Sequence, residues 1–159
     1  MPETSAFLAE RLKVEGAKTI AFFETLTDSQ WSITIYTDGE NWSIHKVLAH
    51  FVTSEQSFIR LFADIYAGGV GVPENFNIDS HNAAQQAKTK EQSPQMLLMQ
   101  FQSVRAEMVQ WVSALSASDL QKTGRHPFLG VTSLAEMIKM IYRHNQLHVR
   151  DLRQVLSEK

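Results

Sequence analysis

His144 and His148 stand four residues apart near the end of the 159-residue chain. On a helix of about 3.6 residues per turn, that spacing sets the two imidazoles one above the other, about 40° apart around the axis. Two rings so placed can share one cation. Leu134, Met137, Ile141, Leu152 and Val155 follow the same spacing, so the pair falls in the stripe that should face a core, with Lys139, Arg143, Arg150 and Arg153 opposite. Ionisable rings in an apolar seam are costly unless something satisfies them. Either a shared divalent ion or a hydrogen-bonded polar layer that fixes helix register would do so.

A histidine pair one turn apart binds metal moderately well, and a third ligand from another helix completes the set. His50 is the best candidate, on the margin of the buried face of the second long helix, although a histidine there is also readable as a core-rim residue. It meets the pair at one end of a bundle if the two helices run antiparallel. His45, five residues earlier, points about 140° away and reads as surface. His81 and His126 fall in the long connections between the expected long helices and read as solvated, though His126 beside Pro127 could line a pocket mouth. Glu55 occupies a core register of the second helix, as a catalytic base or ligand-orienting group, or as the partner of an arginine at a helix crossing. Asn145 reads as a buried amide that sets register.

The elements that must position these residues are four long amphipathic helices. The first is expected over residues 4–26. The second, capped by Ser43, carries Ile44, Leu48, Phe51, Glu55, Phe58, Phe62 and Ile65 in strict 4,3 spacing and stops before the glycines at 68–71. The third starts at Ser93 with Pro94 in the first helical position and runs through Leu97, Phe101, Val104, Met108, Trp111 and Leu115. Ser133 and Glu136 match a capping box that opens the fourth. A short helix is expected over 81–88. Thr27-Asp28-Ser29 ends the first helix or restarts a turn; the stretches 31–41 and 116–131 read as connections, the first with a turn at Asp38-Gly39, and no strand pattern convinces. Trp31, Tyr36 and Trp42 read as packing residues over the bundle end rather than substrate platforms. The expectation is an all-α, single-domain four-helix bundle spanning 1–159, with connections long enough to cover one end and shape a pocket there.

The formal charge is -2, with no basic block, which argues against a nucleic-acid partner. There is no cysteine, hence no disulfide, thiolate ligand or cysteine nucleophile, which fits a reducing compartment. The N-terminus lacks a leader pattern and no apolar run approaches the ~20 residues that span a bilayer. The reading is a cytoplasmic protein with no membrane partner.

Trp42-Ser-Ile-His-Lys-Val-Leu-Ala-His50-Phe, then Thr132-Ser-Leu-Ala-Glu-Met and His144-Asn-Gln-Leu-His148-Val-Arg-Asp-Leu-Arg-Gln resemble the DinB/YfiT-like superfamily of metal-dependent enzymes. The likeness covers nearly the whole chain, including Trp31 and the segment Phe76-Asn-Ile-Asp79. It implies that His50, His144 and His148 are the metal ligands, that the chain forms a homodimer, and that the chemistry is hydrolysis or S-transfer with a low-molecular-weight thiol. Zinc, nickel or another divalent ion that favours imidazole fits three such ligands. The function expected is activation of water or thiol against a small electrophilic substrate. The alternative is a non-catalytic metal- or ligand-binding stress-response module.

Overall fold

In the computed structural model, which describes residues 3–159, the long helices form as their capping signals predict. Met1 and Pro2, part of the stretch read for a leader, lie outside the described residues. Thr4 caps α1 (Ser5–Glu24), Ser43 caps α2 (Ile44–Tyr66), Ser93 caps α4 (Pro94–Ser113) and Ser133 caps α5 (Leu134–Ser157), each hydroxyl accepting a first-turn amide. Asn77 caps a shorter helix, α3 (Ile78–Thr89), which begins before the residues expected for it.

Two hairpins correct the expectation of strand-free connections. β1 (Thr34–Tyr36) pairs with β2 (Trp42–Ser43), and β3 (Thr123–His126) with β4 (Gly130–Ser133), both antiparallel. They are too short for alternation to show in a sequence window. Each delivers the chain directly into a bundle helix, the first into α2 and the second into α5.

α1 packs on α4 and α5, and α2 packs on the same two helices, so α1 lies diagonal to α2 and α4 diagonal to α5. The core divides into two apolar clusters that fix the directions. Leu8 and Leu12 of α1 share one cluster with Phe62, Met108, Val112 and Met137, whereas Phe23 shares the other with Leu48, Phe51, Leu97, Phe101 and Leu152. α1 and α5 therefore run one way and α2 and α4 the other. α2 and α5 are antiparallel neighbours, the condition for His50 to meet the pair.

Between the clusters lies a buried polar layer. Arg105 of α4, 4% exposed, donates to both carboxylate oxygens of Glu55 on α2 at 2.8 and 2.9 Å, to Leu12 O on α1 at 2.9 Å, and to Asn145 Oδ1 on α5. One guanidinium thus ties all four bundle helices, and the arginine pairing weighed for Glu55 is what its carboxylate makes. Lys139, expected on the polar face, is also buried, held by Glu3 and Glu136 at 3.2 and 2.7 Å. No helix of the described residues is long and apolar enough to cross a membrane.

The segment after α2 lies along β3. Arg125 N donates to Val70 O and Val72 N donates to Arg125 O, bracketing Gly71, whose φ is 89°. A Cβ on Gly71 would collide with the Arg125 backbone, whereas Gly39, with φ 79°, has nothing within 4 Å. Gly71→Ala should therefore cost about 2 kcal/mol or more and Gly39→Ala about 1, the difference reading the collision apart from the dihedral strain. Urea unfolding followed by circular dichroism measures both; equal losses would mean that the segment moves away from β3 freely.

Candidate metal centre

The three histidines singled out from the sequence come together. His50 Nε2 lies 3.1 Å from His144 Nε2, which lies 3.0 Å from His148 Nε2. One ligand atom from each ring falls within 4.8 Å of the others. α5 supplies two rings one turn apart and α2 the third, on the side where the core holds Phe51, whose ring packs 5.8 and 5.7 Å from those of His144 and His148. Trp42, on the strand leading into α2, sets its ring 5.0 Å from that of His50.

The outer nitrogens define what the inner ones can do. Tyr36 OH lies 2.6 Å from Asp151 Oδ2 and 2.8 Å from His148 Nδ1. A hydroxyl has one proton, and the carboxylate can only accept, so Tyr36 donates to Asp151 and accepts from His148 Nδ1–H. That proton on Nδ1 leaves the Nε2 lone pair of His148 facing the other rings, the tautomer an Nε2 ligand needs. Ser54 Oγ, 3.1 Å from His50 Nδ1, gives the third ring an outer partner as well.

Burial keeps the rings neutral. It holds His50 far below the ordinary imidazole range, with the neighbouring His144 and His148 adding to the effect. His144 is pushed down to about 3, first by burial and then by His148 and His126. Burial lowers His148, against the opposing pull of Asp151. Tyr36 is raised by burial and by its hydrogen bond to Asp151, so it keeps its proton. Three neutral imidazoles with converging lone pairs, two with their outer nitrogens satisfied, fit a divalent cation.

Two clefts open on this cluster. One, of about 380 Å³, runs from His50 and His144 past Phe58, Phe76 and Phe128. The other, of about 430 Å³, holds Tyr36, Asp38, Trp42 and all three histidines; Asn82 and Phe128 line both. A larger cleft, about 790 Å³, lies beside His45 and Lys46 and reaches none of the three.

The remaining candidates fall elsewhere. His45 is half-buried rather than surface, its Nε2 2.6 Å from Gln92 O. His81 sits on α3, bonded to Ser57 at the rim of the smaller cleft. His126 is 2% exposed, not solvated: its Nδ1 accepts the Phe128 and Leu129 amides, its ring lies flat against Phe58 at 5.0 Å, and burial pushes it down to about 4. Glu55 lines neither cleft that opens on the histidines. Tyr36 and Asp151 are the residues whose contact with this cluster the sequence reading missed. Asp151, one turn beyond His148 on the same helix, was a usable signal; Tyr36, 112 residues away from that ring, was not.

Tyr36→Phe should lower metal affinity about 10- to 100-fold, the usual cost of removing a group that orients a histidine ligand, without unfolding the bundle. Competition with a chromophoric chelator reads the affinity; an unchanged value would show that His148 needs no outer partner.

The family profile described as the DinB superfamily matches residues 11–152. No curated protein matches by sequence. Among solved structures, YfiT from Bacillus subtilis, described as a probable metal-dependent hydrolase with an unusual four-helix bundle topology, is similar at TM-score 0.77 and 19% identity, over 95% of this chain and 85% of that one. A mycothiol-dependent maleylpyruvate isomerase aligns at TM-score 0.74 and 13% identity, over 93% of this chain and 59% of that one. The colibactin self-resistance protein ClbS, solved with double-stranded DNA, aligns at TM-score 0.72 and 11% identity, over 96% and 97%. At these identities the likeness is one of fold.

Proposed function

The chain belongs to the DinB superfamily, and on that premise we propose that it is a divalent-metal-dependent enzyme acting on a small electrophile, with water or a low-molecular-weight thiol as nucleophile. The observation that carries this reading is the convergence of three Nε2 atoms, His148's with its proton placed on the outer nitrogen by Tyr36 and Asp151. His50, His144 and His148 would hold the ion. When bound, a zinc or nickel ion supplies positive charge that eases loss of a proton from water or a thiol.

The chain's own residues do the rest. Asp151 and Tyr36 fix the His148 ring, Ser54 steadies His50, and Phe51 closes the core side against water. No fourth His, Cys, Asp or Glu joins the set among the described residues, which is how a catalytic rather than a closed structural site is built. Two clefts reaching the same histidines suit two reactants. A net charge of -2 favours a small-molecule partner over nucleic acid.

Metal analysis of protein purified without chelators, followed by thiol-consumption and hydrolysis assays over a panel of electrophiles, tests the proposal. About one ion per chain with turnover supports it. One ion per chain without turnover on any electrophile would favour the non-catalytic binding module, and no ion would remove the metal reading.

A further inference from the structure

The cleft of about 380 Å³ beside His50 and His144 is of small-molecule size, and its walls are mostly apolar: Phe58, Leu61, Val72, Phe76, Ile78 and Phe128. Its polar rim is uneven. Arg60 reaches Ser57 Oγ at 3.4 Å, and Ser57 Oγ lies 3.3 Å from His81 Nε2. No ion pair among the described residues involves Arg60, an exposed side chain on the same rim. Asp64, the acid that lines this cleft, has its Oδ2 3.3 Å from the Gly71 amide that bonds to it, although it stands one helical turn from Arg60. His81 sits in the positive field of Arg60 and Lys88, which, after burial, hold its imidazole below the ordinary range.

We propose that this cleft selects an apolar acid: a ring or chain of aromatic width between Phe58, Phe76 and Phe128, with its carboxylate or sulfonate at Arg60 and His81 and its far end toward the histidine cluster. An apolar body gains by leaving water along those walls, and an unpaired guanidinium with an adjacent imidazole and hydroxyl gives an anion a charge-assisted anchor. The cleft containing Tyr36, Asp38 and Asn82 is left for the polar reactant. That the bound acid is the electrophile rests on the function proposed above; that the cleft binds such an acid does not.

The test uses 1-anilinonaphthalene-8-sulfonate fluorescence, with displacement by 1-naphthoate and by 1-naphthalenemethanol, which share a ring body and differ in charge. Naphthoate should displace the dye at about tenfold lower concentration than the alcohol, the size of one charge-assisted contact. Arg60→Gln should bring the two within about twofold, and Phe128→Ser, at a side chain 54% exposed, should weaken both alike. Equal displacement by the two compounds, a preference that survives Arg60→Gln, or no displacement at millimolar concentration would overturn the assignment. Zinc uptake measured on the same samples separates the two readings: charge-selective binding by protein that takes up no zinc would sink the metal proposal and leave the acid-binding cleft standing.

Discussion

His144→Ala abolishes tight uptake of zinc or nickel, while His45→Ala leaves it at about one ion per chain. His144 is the shared neighbour in the cluster, its Nε2 3.1 and 3.0 Å from those of His50 and His148. Removing it leaves two nitrogens on different helices with no ring between them. Apparent zinc binding energies of about 10–16 kcal/mol at four-ligand sites correspond to roughly 2.5–4 kcal/mol per ligand, so the loss should reach about two to three orders of magnitude in affinity. That exceeds the effect expected for Tyr36→Phe, which removes only the support of a ligand. His45 is the internal control, a half-buried histidine of the same helix turned toward Gln92. A second readout follows from linkage: saturating zinc should raise the melting temperature of the parent and of His45→Ala, but not of His144→Ala. Undiminished affinity in His144→Ala would mean that the three rings are a hydrogen-bonded layer, the other reading open to a histidine pair in an apolar seam.

The parts of this centre that were legible in the sequence share one property: they lie on long helices, where spacing dictates direction. His144 and His148 could be placed on one face by counting, and His50 and His45 separated by the same count. What the count could not give is which helices neighbour which. The diagonal arrangement of α1 with α2 has no local signal, and it is this arrangement that brings β1 over the end of α5 and Tyr36 onto His148. His126 was misread for a related reason. Gly124, Pro127 and Gly130 look like loop punctuation, yet Gly124 is there because a Cβ would strike Ile65 of α2, and that close approach is what buries the histidine two residues on. Arg105 was within reach: Phe101, Arg105, Met108 and Val112 form a 4,3,4 line of buried positions, so a charge at an apolar register pointed to a buried partner, as Glu55 did on α2.

That partnership makes Arg105→Met the most destabilising single change expected. Glu55 is 2% exposed and loses the Arg105 hydrogen bond at each carboxylate oxygen; Leu12 O and Asn145 Oδ1 lose the same donor. Breaking one side of a buried ion pair costs about 3–5 kcal/mol, because the charge left behind cannot be solvated. In a chain of this length each kcal/mol moves the melting temperature by about 2–4 °C, so a fall of roughly 6–20 °C is expected. The double variant Arg105→Met/Glu55→Met should be more stable than Arg105→Met alone by about 1 kcal/mol or more, since it removes the stranded carboxylate while Leu12 O and Asn145 Oδ1 stay unpaired. Denaturant unfolding of the four members of this cycle measures the coupling. A loss below about 1 kcal/mol in Arg105→Met, or a double variant no better than the single, would show that water reaches Glu55 and that the layer is not sealed. A separate variant decides the remaining role of Glu55: with its carboxylate committed to Arg105, Glu55→Gln should lower stability while leaving metal affinity unchanged, whereas a catalytic base would show the loss in turnover instead.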